Sequence, residues 1–260
     1  MCIIAAVFAI ITPVLYIIIL SVSGGSEIEE YLAMEMLGSV FSAKTQFFSA
    51  FSIGNNFGLI APVLLAIVLC KDFSFGTIRN KIIAGKKRSS IFMSLFITCS
   101  TVFVGIMLFH SFFTLGVSLI FFDYQSTAFT LGDLRYFLVS LLFEILVLLF
   151  ISALLSYLCA NMKNVGLAIV LYVAISFALV MIGSVVQVAL AAIMPINVNE
   201  TVSAVLEFID KINIGTASSR IGVGNTYSFE DVLYNTLPSV IGIAGFLGLG
   251  ILKFKKKDLK

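Results

Sequence analysis

The 260-residue sequence has no tryptophan, one histidine, four prolines and four cysteines, and only 12% of its residues are charged. A soluble domain carries about twice that charged fraction, roughly 25%. Because 60% of the residues are hydrophobic, a soluble domain of this length could not bury the apolar surface, and a disordered chain needs the opposite composition. These deficits exclude soluble enzymes, nucleic-acid-binding proteins and secreted disulfide scaffolds. They indicate an integral membrane protein.

The four cysteines and the single histidine limit which metal, disulfide or catalytic sites the chain could form. Cys2, Cys70, Cys99 and Cys159 lie inside or at the edges of apolar runs, and no pair has the spacing of a metal site or a disulfide framework. We interpret them as small packing residues. His110 has no second His, Cys or carboxylate near it in sequence, so a metal or catalytic role is not expected. We predict no catalytic residue, no metal site and no cofactor bound by this chain.

Long apolar runs dominate what the sequence does contain. A membrane-spanning helix needs about 20 mainly apolar residues to cross a hydrocarbon core of about 30 Å. Continuous hydrophobicity favours helices over the alternating strands of a barrel. We therefore predict an all-α, polytopic membrane protein that forms a single domain over residues 1–260. Its six predicted transmembrane helices run over residues 2–22, 53–70, 91–122, 136–160, 166–193 and 237–252.

The few charges are sorted between the segments that connect these spans. Twelve of the 16 Lys and Arg residues fall in residues 71–90, in the turn 161–165 and in the C-terminal tail. Acidic residues prevail in the three segments that alternate with those, although Lys44, Arg135, Lys211 and Arg220 lie there too. By the positive-inside rule, the basic segments are cytoplasmic and both termini lie inside. The first run lacks the basic start and cleavage site of a signal peptide, so we expect a retained helix.

The outer segment before the last span has patterns of its own. Apolar residues recur at helical spacing and form one stripe. Further along, Ser228 and Asp231 have the spacing of a capping box that leads into the sixth span. We therefore predict short outer helices before helix six, lying on or dipping into the outer leaflet. The residues of the stripe are Val202, Val205, Leu206, Ile209 and Ile212.

The most informative stretch is the basic segment 71–90. Phe75, Ile78 and Ile82 fall on one face of a short helix, and the other side carries Arg79, Asn80 and Lys81. The pattern predicts a short amphipathic helix between the second and third spans.

Capping residues define the ends of this predicted helix. Ser74 or Asp72 is expected to cap its start, and Gly85 suits the left-handed residue after its end. An interfacial helix with positive flanks would explain the basic residues. It would not explain the ordered sequence Asp-x-x-x-Gly-Thr-Ile-Arg.

That ordered sequence resembles the permease subunits of ATP-binding cassette (ABC) transporters of the type-2 integral membrane class. In those proteins an acidic residue, a Gly-Thr pair, a hydrophobic residue and a basic or polar residue follow the second helix, before a basic or Ser-rich entry to the third. The residues at those positions here are Asp72, Gly76, Thr77, Ile78 and Arg79. The predicted topology is similar over the whole chain, whereas the motif covers about twenty positions.

The resemblance implies that the short helix is a coupling helix, which docks into a cleft of a separate ATPase subunit. It implies an export-type ABC permease in the plasma membrane of a bacterium, working with two ATPase copies and with a second permease chain, identical or homologous. ATP and Mg would be bound by the partner, and nucleic acid is not expected as a partner. The coupling residues implied are Asp72, Phe75, Gly76, Thr77, Ile78, Arg79 and Ile82.

The sequence itself supports a separate ATPase and leaves an alternative open. Gly85-Lys86 is like the end of a phosphate-binding loop, but Lys87 stands where Ser or Thr is required and position 80 is not Gly. The family's amphipathic elbow helix before the first span is not seen, so either this is a short version or the start is assigned too far downstream. The alternative function is a secondary transporter or channel without an ATPase.

Glu144 is the only charged residue well inside a predicted span. At 1.5 Å per residue it lies about 12 Å beyond Tyr136, close to the middle of the bilayer. A charge there costs at least ~2.5 kcal/mol, so the group is expected to face the interior of the bundle, protonated or paired. One interpretation is a residue of the translocation path or a proton-linked residue. The other is a structural hydrogen bond to a Ser or Thr of a neighbouring helix.

Overall fold

The computed structural model describes residues 43–50, 60–74, 76–121, 131–162, 164–193, 200–217 and 228–256, together with nine separate helical positions between Ile3 and Ile18. The described residues are almost entirely helical and include no strand. The all-α prediction is therefore confirmed. The helices defined over the described ranges are α1 (Ala43–Ser49), α2 (Ile60–Ser74), α3 (Thr77–Ile83), α4 (Arg88–Phe121), α5 (Leu131–Asn161), α6 (Val165–Ile193), α7 (Glu200–Ile212), α8 (Ile214–Ala217) and α9 (Phe229–Lys256).

Four of the described helices, α4, α5, α6 and α9, are long and apolar enough to cross a membrane. They correspond to the last four predicted spans. The second predicted span appears as α2, which covers 15 residues and, taken with α3 across a 47° bend, counts as a fifth candidate. The first predicted span, 2–22, lies mostly outside the described residues. The chain is thus a helical protein with several potential spans.

The last helix begins well before the predicted span. It starts at Phe229, directly after Ser228, and continues through Pro238 to Lys256. Hydropathy missed its first two turns because they carry Glu230 and Asn235 among apolar residues. The serine at the expected capping position predicted this start better than hydropathy did.

The chain divides into two compact units, of which the first comprises Met1–Phe57, Val104–Leu141 and Ile221–Thr226. In this unit α1 packs through aromatic rings: the Phe47 ring lies 5.8 Å from those of Phe112 and Phe137, and the unit also contains a Phe48–Tyr136 edge contact. The first unit is therefore held together by aromatic contacts of α1 with α4 and α5.

An ion pair joins the same elements of the first unit. Lys44 Nζ lies 2.7 Å from Asp133 Oδ1, and the two side chains are only 12% and 16% exposed. Because both charges are largely removed from solvent, the loss of either partner would leave an uncompensated charge. This pair fixes the start of α1 to the first turn of α5.

The second unit comprises Gly58–Phe103, Leu142–Arg220 and Tyr227–Lys260. Here α9 packs on α4 and α5 through two glycines. A Cβ on Gly242 would lie 2.5 Å from the Phe150 ring, and one on Gly250 would lie 2.2 Å from the Phe92 ring. Small residues allow such close approach of aromatic rings to a neighbouring helix backbone. This packing brings α9 against α4 and α5 in the second unit.

The amphipathic helix predicted from the stripe is confirmed as α7, and it is followed by the single turn α8. Asn213 joins the two: its Nδ2 donates to the Leu179 carbonyl at 2.9 Å, and its Oδ1 accepts from the Gly215 N–H at 2.8 Å. Leu179 is the central residue of α6. The segment formed by α7 and α8 therefore reaches the level of the midpoint of α6.

Candidate functional site

The short helix α3 begins at a glycine turn. Gly76 is its N-cap residue, with φ 71° and ψ 7°, and no side chain caps the helix. The prediction that Ser74 or Asp72 caps this start is wrong, because α2 continues through Ser74. The left-handed conformation of Gly76 turns the chain between α2 and α3, which meet at a 47° bend. L-residues other than glycine adopt this conformation at a cost of roughly 1–2 kcal/mol.

The end of α3 is closed by a Schellman motif. The Gly85 N–H donates to the Ile82 carbonyl at 2.9 Å, and the Lys86 N–H donates to the Lys81 carbonyl at 3.1 Å. Gly85 has φ 81°, so the left-handed residue predicted at this position is confirmed. With a glycine turn at each end, α3 is held in a defined orientation between α2 and α4.

The two faces of α3 differ in exposure. Ile78 is buried at 2% exposure and Ile82 is half-buried, whereas Arg79 and Lys81 are exposed. This is the distribution that the amphipathic pattern predicted. Ile83 adds an unpredicted feature, since this large apolar side chain is 74% exposed at the end of the helix. The outer face of α3 thus combines cations with one exposed isoleucine.

The other predicted coupling residues lie at the junction between α2 and α3. Asp72, in the last turn of α2, and Thr77, the first residue of α3, are both half-buried. The side chain of Phe75 lies outside the described residues. The structure therefore places Thr77, Ile78, Arg79 and Ile82 on α3, Gly76 in the turn before it and Asp72 in the last turn of α2.

An aromatic cluster supports this end of the second unit. Phe254 is fully buried, with its ring centroid 6.1 Å from that of Phe73 and 6.2 Å from that of Phe92. These rings belong to α9, α2 and α4. Phe254 was not identified from the sequence, although an aromatic residue between Lys253 and Lys255 in a cationic run was an available signal. The cluster holds the end of α2 next to α4 and α9.

Two polar contacts connect the same helices. Arg88 Nη1 donates to the Lys255 carbonyl at 2.9 Å, which satisfies a carbonyl in the last turn of α9. Lys253 Nζ donates to the Tyr157 hydroxyl at 2.6 Å, which joins α9 to α5. These contacts place the ends of α5 and α9 and the start of α4 at one end of the second unit.

This end, which we call the basic end, carries a concentration of positive charge. Exposed cations lie on α3, in the chain on either side of it and in the last turn of α9, and Asp72 is the single acidic residue between positions 71 and 88. Such a surface attracts acidic protein surfaces and anionic groups, with a strength that falls as salt rises. The exposed cations of the basic end are Lys71, Arg79, Lys81, Lys86, Lys87, Lys253, Lys255 and Lys256.

Glu144 and His110 belong to helices other than α3. Glu144 is fully buried near the middle of α5, about 20 Å along that helix from Tyr157 at 1.5 Å per residue. His110 is also buried and forms a hydrogen bond with the Ala50 backbone. Among the described residues no group of three His, Cys, Asp or Glu could hold a metal ion. The basic end with α3 is therefore the candidate functional site.

Comparison with known proteins adds no assignment to this geometry. No protein-family model, no curated protein and no solved structure matches the chain.

Proposed function

We propose that this chain is the membrane-spanning permease subunit of an ATP-driven ABC transporter, of the exporting type. In this proposal α3 is the coupling helix, and it receives the motion of a separate ATPase subunit. Two ATPase copies and a second permease chain complete the transporter in the plasma membrane of a bacterium. The observation that carries the proposal is how α3 is held: it is a short helix with an exposed cationic face, and its other face and both its ends are fixed at the basic end.

The physical argument begins with the two faces of α3. Ile78 anchors one face inside the protein, and α3 packs against α2, so a force applied to the exposed face is passed to α2. The glycine turns at Gly76 and Gly85 set the direction of the helix. A surface helix that only covered the lipid interface would not need both ends fixed in this way. The mounting supports a mechanical role for α3.

The composition of the exposed side of α3 is suited to binding a protein partner. Arg79 and Lys81 supply charge, and Ile83 supplies an apolar contact at 74% exposure. Interfaces combine an apolar contact with charges that fix register and speed association. A groove with acidic walls on an ATPase would fit this side. The chain has no phosphate-binding loop of its own around Lys86, which supports hydrolysis of ATP by the partner.

The proposal predicts which substitutions break the complex. Affinity purification of the tagged chain from its own membranes should recover an ATPase with a phosphate-binding loop. Arg79→Glu and Ile83→Asp should each reduce that recovery and ATP-dependent transport at least tenfold, which corresponds to about 1.4 kcal/mol of binding free energy. Both side chains are exposed, so membrane insertion and melting temperature should not change.

Lys256→Glu is the matched control, because it reverses an exposed charge at the same end outside α3. Its effect should be small and should weaken with added salt. Recovery of the ATPase and transport at wild-type levels in both α3 variants would exclude α3 as the coupling helix. Transport driven by an ion gradient with no ATPase present would favour a secondary transporter instead.

A further inference from the structure

The buried face of α4 in the first unit carries three hydroxyl groups. Ser111, Thr114 and Ser118 follow one another at spacings of three and four residues, so they lie on one face of the helix. Their exposed fractions are 0%, 4% and 1%. The residues that directly follow two of them, Phe112 and Leu119, are more than half exposed. The polar side of this part of α4 is therefore turned into the protein.

These three hydroxyls have no hydrogen-bond partner in the part of the chain that the structure describes. The usual local partner of a helical serine or threonine is the carbonyl one turn earlier on its own helix. Other serines of this chain use it: Ser152 donates to the Leu148 carbonyl at 2.8 Å, and Ser184 donates to the Val180 carbonyl at 3.0 Å. The three hydroxyls of α4 do not, so they are available to a group other than the protein.

A fourth hydroxyl of this kind lies on α5 in the same unit. Ser140 is 0% exposed and also has no partner among the described residues. The helices α1, α4 and α5 pack together here through the contacts of Phe47 with Phe112 and Phe137. Such hydroxyls occur singly in the second unit, at Ser100, Ser156 and Ser239. The first unit differs because three of them share one helix face and a fourth lies on a helix of the same packing.

The spacing of the α4 hydroxyls suits a small bridging molecule. Buried polar groups nearly always have a hydrogen-bond partner, and ordered water supplies it where the protein does not. Two oxygens that each bond the same water at about 2.8 Å lie at most about 5.6 Å apart. Residues three or four apart on a helix have Cβ atoms about 5–6 Å apart. One water can therefore bridge Ser111 to Thr114, and another can bridge Thr114 to Ser118.

We propose that Ser111, Thr114 and Ser118 line a hydrated pocket that binds small uncharged molecules with hydrogen-bonding groups, water among them. A hydroxyl both donates and accepts, so it suits a ligand that does the same. A buried ion would need a compensating charge. The ion pair of this unit, Lys44 with Asp133, is already matched within itself. The lining therefore selects neutral polar groups over ions.

The pocket can be tested by the reactivity of substituted thiols in the intact chain in reconstituted membranes. The probe is 2-hydroxyethyl methanethiosulfonate, which is small and uncharged and carries a hydroxyl. It reacts with a thiolate, and a thiol ionises where water reaches it rather than in apolar surroundings. Ser111→Cys, Thr114→Cys and Ser118→Cys should each react at least tenfold faster than a thiol in a dry position. Peptide mass spectrometry measures each position separately, so the native cysteines stay in place.

Two controls define a dry position, and a second reagent tests the ligand class. Leu119→Cys directly follows Ser118, at nearly the same depth, but lies on the exposed side of α4. Cys99 is a native thiol of the same helix, free and fully buried. The second reagent is the negatively charged 2-sulfonatoethyl methanethiosulfonate. With each rate divided by that of the exposed Glu230→Cys, it should react at least tenfold more slowly at the three pocket positions than the uncharged reagent.

Fast reaction at fewer than two of the three pocket positions would show a dry interior and overturn the pocket. Equally fast reaction of Leu119→Cys would overturn it too, because access would then not be confined to the polar face. Equal normalised rates for the two reagents would overturn the assignment of an uncharged ligand. None of these measurements needs an ATPase or a transported substrate, so their outcome is independent of the proposed function.

Discussion

At the residue scale, the buried carboxyl of Glu144 is the ionisable group well inside a predicted span that could take part in transport. Glu144 has no exposed surface, which agrees with the expectation that a charge at this depth faces the interior of the protein. An ionised carboxylate there is costly, so the group is stable as a neutral acid or with a compensating partner. Gln has nearly the same shape and keeps hydrogen bonding, but it cannot ionise. The substitution therefore separates the charge from the packing.

We predict that Glu144→Gln leaves the melting temperature of the purified protein nearly unchanged and lowers transport at least tenfold. The prediction rests on the proposed transport function, in which this group would gain or lose a proton or contact a cationic part of the substrate, whereas stability depends only on its shape and hydrogen bonds. Thermal unfolding in detergent and transport in reconstituted vesicles measure the two effects.

Ser156→Ala is the control for Glu144→Gln. Ser156 is fully buried on the same helix, and its hydroxyl has no hydrogen-bond partner within the described chain, so its loss should change neither quantity. Normal transport in Glu144→Gln would remove this residue from the translocation path and leave it a structural contact.

At the scale of elements, the segment formed by α7 and α8 approaches the backbone of α6 unusually closely. A Cβ built on Gly215 would lie 2.6 Å from the carbonyl carbon of Leu179 and 2.8 Å from its oxygen. Both atoms belong to the backbone of α6, which cannot move aside as a flexible side chain does. The hydrogen bond from Asn213 to the same carbonyl depends on this closeness.

Gly215→Ala should therefore destabilise the protein by about 1–3 kcal/mol, the usual cost of overpacking. Thermal unfolding should show a lower melting temperature, and hydrogen exchange should be faster at the Gly215 N–H, which donates to Asn213. Gly248→Ala is the matched control, since a Cβ at Gly248 in α9 meets nothing within 4 Å. Equal melting temperatures for the two variants would contradict the close contact.

The helices themselves could be predicted from the sequence, whereas the packing between them could not. Hydropathy and capping residues are local properties, so they located α4 to α7 within a few residues and placed Gly85 after the end of α3. The packing of Phe254 against Phe73 and Phe92 depends on residues distant in sequence. Local patterns carry no record of such partners, so the support of α3 was not predicted.

The same limit applies to the pairing of charges. Lys44 was counted only as an exception among acidic outer segments, yet it forms the buried pair with Asp133 in the first unit. The Gly76 turn was also missed as a cap, because the serine rule assumes that the preceding helix has already ended. In both cases the answer depended on another helix: on α5, which carries Asp133, and on α2, which continues through Ser74.

At the scale of the whole molecule, the asymmetry of charge makes a prediction about orientation. In the second unit, α6 and α9 each connect a basic end to an end that carries acidic residues, such as Glu200 and Glu230. The positive-inside rule then places Lys86 and Lys256 in the cytoplasm and Thr201 and Glu230 outside. All four side chains are exposed, so the side of the membrane on which each lies can be tested by chemical labelling.

Single cysteines at these four positions, in a variant with every native cysteine replaced by Ser, should react with a membrane-impermeant maleimide from one side only. In intact cells we expect labelling of Thr201→Cys and Glu230→Cys, and in inverted vesicles labelling of Lys86→Cys and Lys256→Cys. Detergent should expose all four, which controls for reactivity. The reverse pattern would place α3 outside the cell, where no ATPase could reach it, and would rule out the proposed coupling role together with the predicted topology.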